Sequence, residues 1–176
     1  MLISNRIQHS DNLFEIVNPY SGEIVDTVPI SSAEQVDSAL NSSYRLKCNL
    51  TGLDRAEILS KAANLIANQK SEFAQLISSE SGLCIKHSLY EISRAVNCLN
   101  YSVKQAEILD DVDLTSDFVS NYSQSDPVLD VISEPWDLAI GITPFNHPLN
   151  MVVHKVAPAI AAGTPIVIKP SEKTPL

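Results

Sequence analysis

Two short apolar runs near the C-terminal end of the sequence constrain the fold most strongly. Leu138–Ile142 and Pro165–Lys169 each have the length of a buried parallel strand, and the apolar segment between them has the length of a helix. Pro148 suits the first turn of that helix, because the N–H that proline lacks has no partner there. Pro158 lies inside the helix, so we expect a kink or an early end. The pattern predicts an α/β fold built on a parallel β–α–β unit.

Polar residues follow each predicted strand, where an open α/β sheet forms its ligand crevice. After the first strand, two prolines hold Asn146 on a tight turn. Its carboxamide could donate to an oxygen that gains negative charge during a reaction, a contact worth about 3–4 kcal/mol. The more common use of asparagine in such a turn is to satisfy the local backbone. The residues alone leave both roles open.

The second strand ends at Lys169, and Glu172 follows three residues later. A carboxylate beyond such a strand can accept hydrogen bonds from the hydroxyls of an adenosine ribose, and a lysine could donate to the same sugar. The alternative is an ordinary surface ion pair, which contributes little. The sequence contains no GxGxxG motif, so a glycine-rich phosphate loop plays no part in this prediction.

The N-terminal part of the sequence predicts a β-hairpin followed by four helices. The hairpin falls within Leu13–Ile30, around a turn-rich stretch. The first helix is expected to begin at a Ser32–Gln35 capping box and the second near Leu53. The third is expected to begin at Ser71 and to end at Gly82, and the fourth to begin at Ile85.

The fourth helix carries apolar residues in alternating steps of four and three from Ile85 to Ala106. This heptad pattern is compatible with a coiled-coil dimer, but three heptads in a globular chain favour a long helix packed on its own domain. Asp110–Asp126 is then predicted to be a loop or a weak edge strand, and Val128–Ile132 a strand.

Composition excludes several classes of partner. The 176 residues are 44% apolar and 19% charged, as in globular domains, and the net charge of −9 argues against binding to nucleic acid or anionic membranes. Cys48, Cys84 and Cys98 lack a metal-binding spacing and are expected to be reduced thiols, and no metal site is predicted. We find no secretory signal or membrane span and expect a cytoplasmic protein.

Several segments together form a recognisable pattern. In the C-terminal third they are Glu134–Pro135, Gly141–Asn146, His154–Gly163 and Lys169–Pro175. These segments resemble the aldehyde dehydrogenase superfamily. Earlier segments similar to the family's N-terminal hairpin and helices are Asn18–Val25, Leu53–Leu59 and Glu80–Gly82. The run that begins Phe145-Asn-His-Pro resembles the phosphonoacetaldehyde and lactaldehyde types most closely.

The resemblance implies a truncated aldehyde dehydrogenase-like Rossmann domain with an incomplete parallel sheet. Residues 1–116 would form the N-terminal hairpin and helical part of the cofactor domain. Residues 117–135 would form a small oligomerisation hairpin, and residues 136–176 the first β–α–β unit of the dinucleotide-binding sheet. The complete enzyme is expected to be a homo-oligomer that oxidises a small aldehyde to a carboxylic acid with NAD or NADP.

The resemblance also assigns site residues. Asn146 matches the catalytic asparagine that, with a backbone N–H, holds the aldehyde oxygen. The cofactor-binding positions are Ile142, Thr143, Pro144, Phe145, Lys169, Pro170, Ser171 and Glu172. Among these, Lys169 and Glu172 match the pair that binds the adenosine ribose. Glu172 fits NAD, because it would repel a 2′-phosphate, although Lys169 and Ser171 leave NADP open.

The sequence departs from the family pattern at Trp136–Asp137, where a small residue and glycine are usual, and at His147. The resemblance places the nucleophilic cysteine and the general-base glutamate in a region that would follow Leu176. We therefore expect this chain to correspond to the amino-terminal part of such an enzyme and to be inactive and aggregation-prone alone. The alternative is a non-catalytic oligomerisation or nucleotide-binding module.

Overall fold

A computed structural model describes residues 2–3, 6–7, 10, 12–109 and 134–176 of the chain. Its strands are β1 (Leu2–Ile3), β2 (Arg6–Ile7), β3 (Leu13–Val17), β4 (Ile24–Pro29), β5 (Ala139–Ile142) and β6 (Ile166–Lys169). Its helices are α1 (Ala33–Tyr44), α2 (Gly52–Asn68), α3 (Lys70–Ser81), α4 (Ile85–Leu109) and α5 (Pro148–Ala161). Several predicted elements lie outside the described residues. These are the loop or edge strand at 110–126, the strand at 128–132, and all but the end of the predicted oligomerisation hairpin (117–135).

The predicted β-hairpin is confirmed. Strands β3 and β4 pair antiparallel, and Leu13 lies opposite Pro29. The Asn18 side chain accepts hydrogen bonds from the backbone N–H groups of Tyr20 (2.9 Å) and Ser21 (3.1 Å), which closes the turn. Gly22 then takes a positive φ of 74°, a conformation that a glycine adopts without strain.

The helix boundaries follow local signals. The capping box predicted at Ser32 and Gln35 is present at the start of α1. Helix α2 begins with a second capping box, formed by Thr51 and Asp54, which the sequence prediction missed. Gly82 ends α3 in the left-handed conformation, as predicted.

Helix α4 lies at the centre of the packing and contacts α2, α3 and α5. Its heptad positions Ile92, Leu99 and Ala106 are buried in the core of the chain itself. The heptad pattern therefore arises from intramolecular packing, the alternative favoured from the sequence, because these side chains already bury their surface against neighbouring helices.

The β–α–β unit is confirmed. Strands β5 and β6 pair in parallel, with Ala139 opposite Ile166 and Ile142 opposite Lys169. Gly141 is buried against α5, since a side chain there would lie 3.0 Å from Lys155 Cδ. The sequence predicts that both faces of β5 are buried, and this prediction is wrong for the face that points away from α5. Ile140 and Ile142 are 61% and 69% exposed, because no element among the described residues covers that face.

Helix α5 continues through Pro158 for one further turn and ends at Ala161, so the proline does not stop the helix immediately. Gly163, with a φ of 73°, allows the chain to leave the helix and enter β6. Among the described residues, no helix combines the length and the apolar character that a membrane span would need.

Candidate functional site

The two predicted site segments leave the sheet side by side. Ile142 and Lys169, the last residues of β5 and β6, are register partners. The Thr143 N–H donates a hydrogen bond to the Lys169 carbonyl oxygen at 3.2 Å, which continues the pairing one residue past the strands. Thr143 is buried at this junction. The segments after Ile142 and after Lys169 therefore start from one edge of the sheet, as an open α/β crevice requires.

Residues 143–147 form the first segment, called here the Asn146 turn. Asn146 lies at its exposed crest, between the half-exposed ring of Phe145 and the more buried His147. Pro144 is also exposed, and Pro148 begins α5 directly behind the turn. The carboxamide of Asn146 is thus accessible to a ligand. This exposure is compatible with both predicted roles of the residue, the contact with a charged oxygen and the satisfaction of the local backbone.

Residues 169–176 form the second segment, called here the ribose loop after the role that the sequence predicts for Lys169 and Glu172. Lys169 Nζ and Glu172 Oε2 form an ion pair at 3.1 Å, and both side chains are mostly exposed. The backbone N–H of Glu172 itself, followed by the Lys169 ammonium, lowers the pKa of the Glu172 carboxyl. Ser171 is buried, and its hydroxyl accepts a hydrogen bond from the Lys173 N–H at 3.2 Å. Ser171 therefore orders the loop from inside, next to the half-buried Pro170.

The Asn146 turn and the ribose loop also contact each other. The Lys173 ammonium lies 4.6 Å from the centroid of the Phe145 ring, within the range of a cation–π interaction. Phe145 and Glu172 line one cleft of about 610 Å³ between the two segments and the hairpin, called here the hairpin cleft. Asn146 and Lys169 are not among its lining residues.

Other residues of the hairpin cleft were missed by sequence reasoning. The hairpin contributes Phe14, Ile16 and Pro19, and the end of α3 contributes Glu80. Their participation depends on contacts between distant parts of the chain, which no local motif reveals. Lys173 was within reach of prediction, because it directly follows Glu172 in the same loop.

Buried charged side chains hold both ends of α5, the helix that starts behind the Asn146 turn. At the N-terminus, Glu91 of α4 accepts a hydrogen bond from the Asn150 N–H at 3.0 Å. At the C-terminus, Arg55 of α2 donates to the Ala161 carbonyl at 3.0 Å, and it also donates to the Leu50 carbonyl, in the loop before α2, at 2.6 Å. An acid at the N-terminal end and a base at the C-terminal end both complement the helix dipole.

A second buried glutamate contacts the ribose loop. Glu80 of α3 accepts a hydrogen bond from the Leu176 N–H at 3.1 Å. Burial raises the pKa of Glu80 to about 7, with a further contribution from the charge of Glu91, while the Leu176 N–H acts in the opposite direction. The Asn146 turn and the ribose loop are thus each supported from behind by one buried carboxyl group.

A parallel β–α–β unit with polar segments at adjoining strand ends is the arrangement of dinucleotide-binding α/β proteins. Within that class, the sequence profile of the aldehyde dehydrogenase family matches residues 7–176, and the chain belongs to this family.

Similar proteins agree with this membership. The chain is 31% identical over 163 residues to 3-sulfolactaldehyde dehydrogenase of Priestia aryabhattai, covering 92% of this chain and 34% of that protein. It is 34% identical over 165 residues to lactaldehyde dehydrogenase of Methanococcus aeolicus, with coverages of 92% and 34%. Glyceraldehyde-3-phosphate dehydrogenase of Methanocaldococcus jannaschii, solved in complex with NADP, superposes with a TM-score of 0.75 at 30% identity and covers 96% of this chain.

The chain spans about a third of the length of the curated relatives it matches. Lactaldehyde and 3-sulfolactaldehyde dehydrogenases are among these relatives, in agreement with the predicted resemblance to the lactaldehyde type, and the resemblance to the phosphonoacetaldehyde type stays a prediction.

Proposed function

We propose that this chain is the N-terminal, cofactor-binding portion of an NAD(P)-dependent aldehyde dehydrogenase. The observation that carries the proposal is the pairing of Ile142 with Lys169, extended by the hydrogen bond from Thr143. This pairing brings the Asn146 turn and the ribose loop to one edge of the sheet. In this proposal residues 1–116 and 136–176 build the cofactor domain.

Each segment has a distinct role in the proposal. NAD or NADP, when bound, accepts a hydride from the substrate. The exposed pair of Lys169 and Glu172 binds the adenosine ribose, since the carboxylate accepts from the sugar hydroxyls and the ammonium donates to them. Asn146 donates its amide N–H to the aldehyde oxygen as negative charge develops there. Ile142 and Phe145 supply exposed apolar surface along the path of the cofactor.

The ionic state of Glu172 bears on the choice of cofactor. A carboxylate whose pKa is lowered stays charged at neutral pH and repels a 2′-phosphate, which favours NAD. Two ammonium groups, those of Lys169 and Lys173, act on this carboxylate and offset part of that repulsion. We therefore propose that NAD binds more tightly while NADP is still accepted.

The substrate and assembly of the complete enzyme are also proposals. Relatives named for lactaldehyde and 3-sulfolactaldehyde support a small, polar aldehyde. We propose a homo-oligomer paired through the segment 117–135 and a cytoplasmic location. Aldehyde oxidation would belong to the complete enzyme, to which this chain contributes cofactor contacts.

Fluorescence titration of the 176-residue chain with NADH and NADPH tests the proposal. Lys169→Ala and Glu172→Ala should each weaken NADH binding about tenfold, because each removes a charged hydrogen-bonding partner of the ribose. Lys61→Ala and Glu57→Ala are matched controls, since these residues form a similar exposed ion pair on α2 at 2.6 Å. A measurable NADH affinity that is insensitive to the Lys169 and Glu172 changes would refute the ribose assignment.

A further inference from the structure

Glu91 is a carboxyl group in an unusual position. It lies on the buried face of α4 and is only 2% exposed, although glutamate is rarely buried without a specific partner. Its side chain extends beyond α4 to the segment directly after Asn146, where it meets His147 and Asn150.

One oxygen of Glu91 supplies the missing cap of α5. The residue before the helix, His147, makes no side-chain capping hydrogen bond. Asn150 is the third residue of the helix, so its N–H has no partner within the helix. Glu91 Oε1 accepts this N–H at 3.0 Å. A carboxylate from another helix therefore fixes the direction in which the chain enters α5.

The other oxygen of Glu91 faces the Asn146 turn itself. Glu91 Oε2 lies 3.6 Å from His147 Nδ1, and His147 directly follows Asn146. The opposite end of the turn is held at Thr143 by the hydrogen bond to Lys169. Asn146 therefore lies between the Thr143 hydrogen bond to the sheet and the close approach of His147 to Glu91.

Several buried polar atoms around Glu91 lack hydrogen-bond partners among the described residues, which lowers stability. Glu91 Oε2, His147 Nδ1 and both polar side-chain atoms of Asn150 are buried without a hydrogen-bond partner among the described residues. Each such atom costs free energy, so a cluster serving stability alone would pair them or replace them with apolar groups.

We infer that Glu91 is a positioning residue, which acts through Asn150 and His147 to hold the carboxamide of Asn146 in its place at the sheet edge. This inference rests on the proposed function only in assigning a ligand to the turn. The mechanical link itself, from Glu91 through the start of α5 to Asn146, is independent of any ligand.

Hydrogen exchange and NMR of the 176-residue chain test the mechanical link. Glu91→Ala should speed exchange of the Asn150 amide at least about tenfold, because that N–H loses the Glu91 acceptor, and should shift the Asn146 side-chain amide signals. Glu91→Gln keeps an acceptor and should restore most of the protection. Glu107→Gln, an exposed change on the same helix, should have no effect. Unchanged exchange at Asn150, or an equal rise throughout α2 and α4, would overturn the inference.

NADH titration of the same variants separates this inference from the proposed function. Glu91→Ala should weaken NADH binding about fivefold, because Phe145 belongs to the same turn as Asn146 and lies on the proposed path of the cofactor, so it would no longer be held in place. If the unmodified chain binds no NADH, the proposed function fails, while the exchange and Asn146 signals still decide the role of Glu91. If NADH binds and Glu91→Ala leaves the affinity unchanged, the positioning role is refuted.

Discussion

At the scale of single residues, Glu80 links stability to pH. Its carboxyl is buried at the end of α3, accepts the Leu176 N–H and has a pKa raised to about 7 from an ordinary 4.5. Between these two values the folded chain holds a proton on Glu80 that the unfolded chain has released. Stability due to this group is therefore fully present below pH 4.5 and is lost as the pH rises through about 7.

Glu80→Gln should remove this dependence, because the carboxamide keeps an acceptor for Leu176 and does not ionise. We expect the free energy of unfolding of the variant, relative to the unmodified chain, to be higher at about pH 8 than at about pH 5. Urea denaturation at both pH values measures the difference. Glu107→Gln serves as the control, and equal effects of pH on Glu80→Gln and the unmodified chain would contradict the prediction.

The site residues differ in how far the sequence could predict them. Asn146 and Glu172 follow strands whose apolar runs are recognisable, Lys169 ends one of them, and the parallel pairing then brings their segments together. Glu91 and Arg55 could not be assigned in this way. Each contacts a backbone group of α5, 59 and 106 residues away in sequence, and no local pattern encodes a contact over such a distance.

At the scale of secondary structure, the ends of helices could be predicted from the sequence more reliably than the exposure of a strand. Capping residues and positive-φ glycines act within a few residues, so the ends of α1 and α3 were predictable. The exposure of β5 depends on which elements cover the sheet. The apolar run Ala139–Ile142 therefore predicts the strand correctly but predicts burial correctly for only one of its two faces.

Helix α5 depends on the charged side chains that meet its ends, and Arg55 provides the test. Its guanidinium donates to the Ala161 carbonyl at the end of α5 and to the Leu50 carbonyl in the loop before α2. Arg55→Met should lower the free energy of unfolding by about 2–3 kcal/mol, because the two carbonyls lose a charged donor. Urea denaturation measures the loss. Arg94→Met, an exposed change on α4, should stay within about 0.5 kcal/mol, and equal effects at the two positions would disprove the role of Arg55.

At the scale of the whole molecule, the β5–β6 sheet leaves both an unpaired edge and an apolar face exposed among the described residues. Strands β5 and β6 pair only with each other among the described residues, and one face presents Ile140 and Ile142. An unpaired strand edge beside an exposed apolar face promotes association between molecules. The helical core, by contrast, is packed on several sides of α4.

We therefore expect the 176-residue chain to associate and to bind the dye ANS at the exposed sheet face. The double change Ile140→Thr and Ile142→Thr should about halve ANS fluorescence and increase the monomer fraction in light scattering, because it removes the apolar surface while keeping β-branched side chains. Leu53→Thr is the matched control, since Leu53 is 70% exposed on α2, away from the sheet. The control should change neither signal. A monodisperse unmodified monomer with a cooperative thermal transition would show that the uncovered face is tolerated, and the expectation would then be wrong.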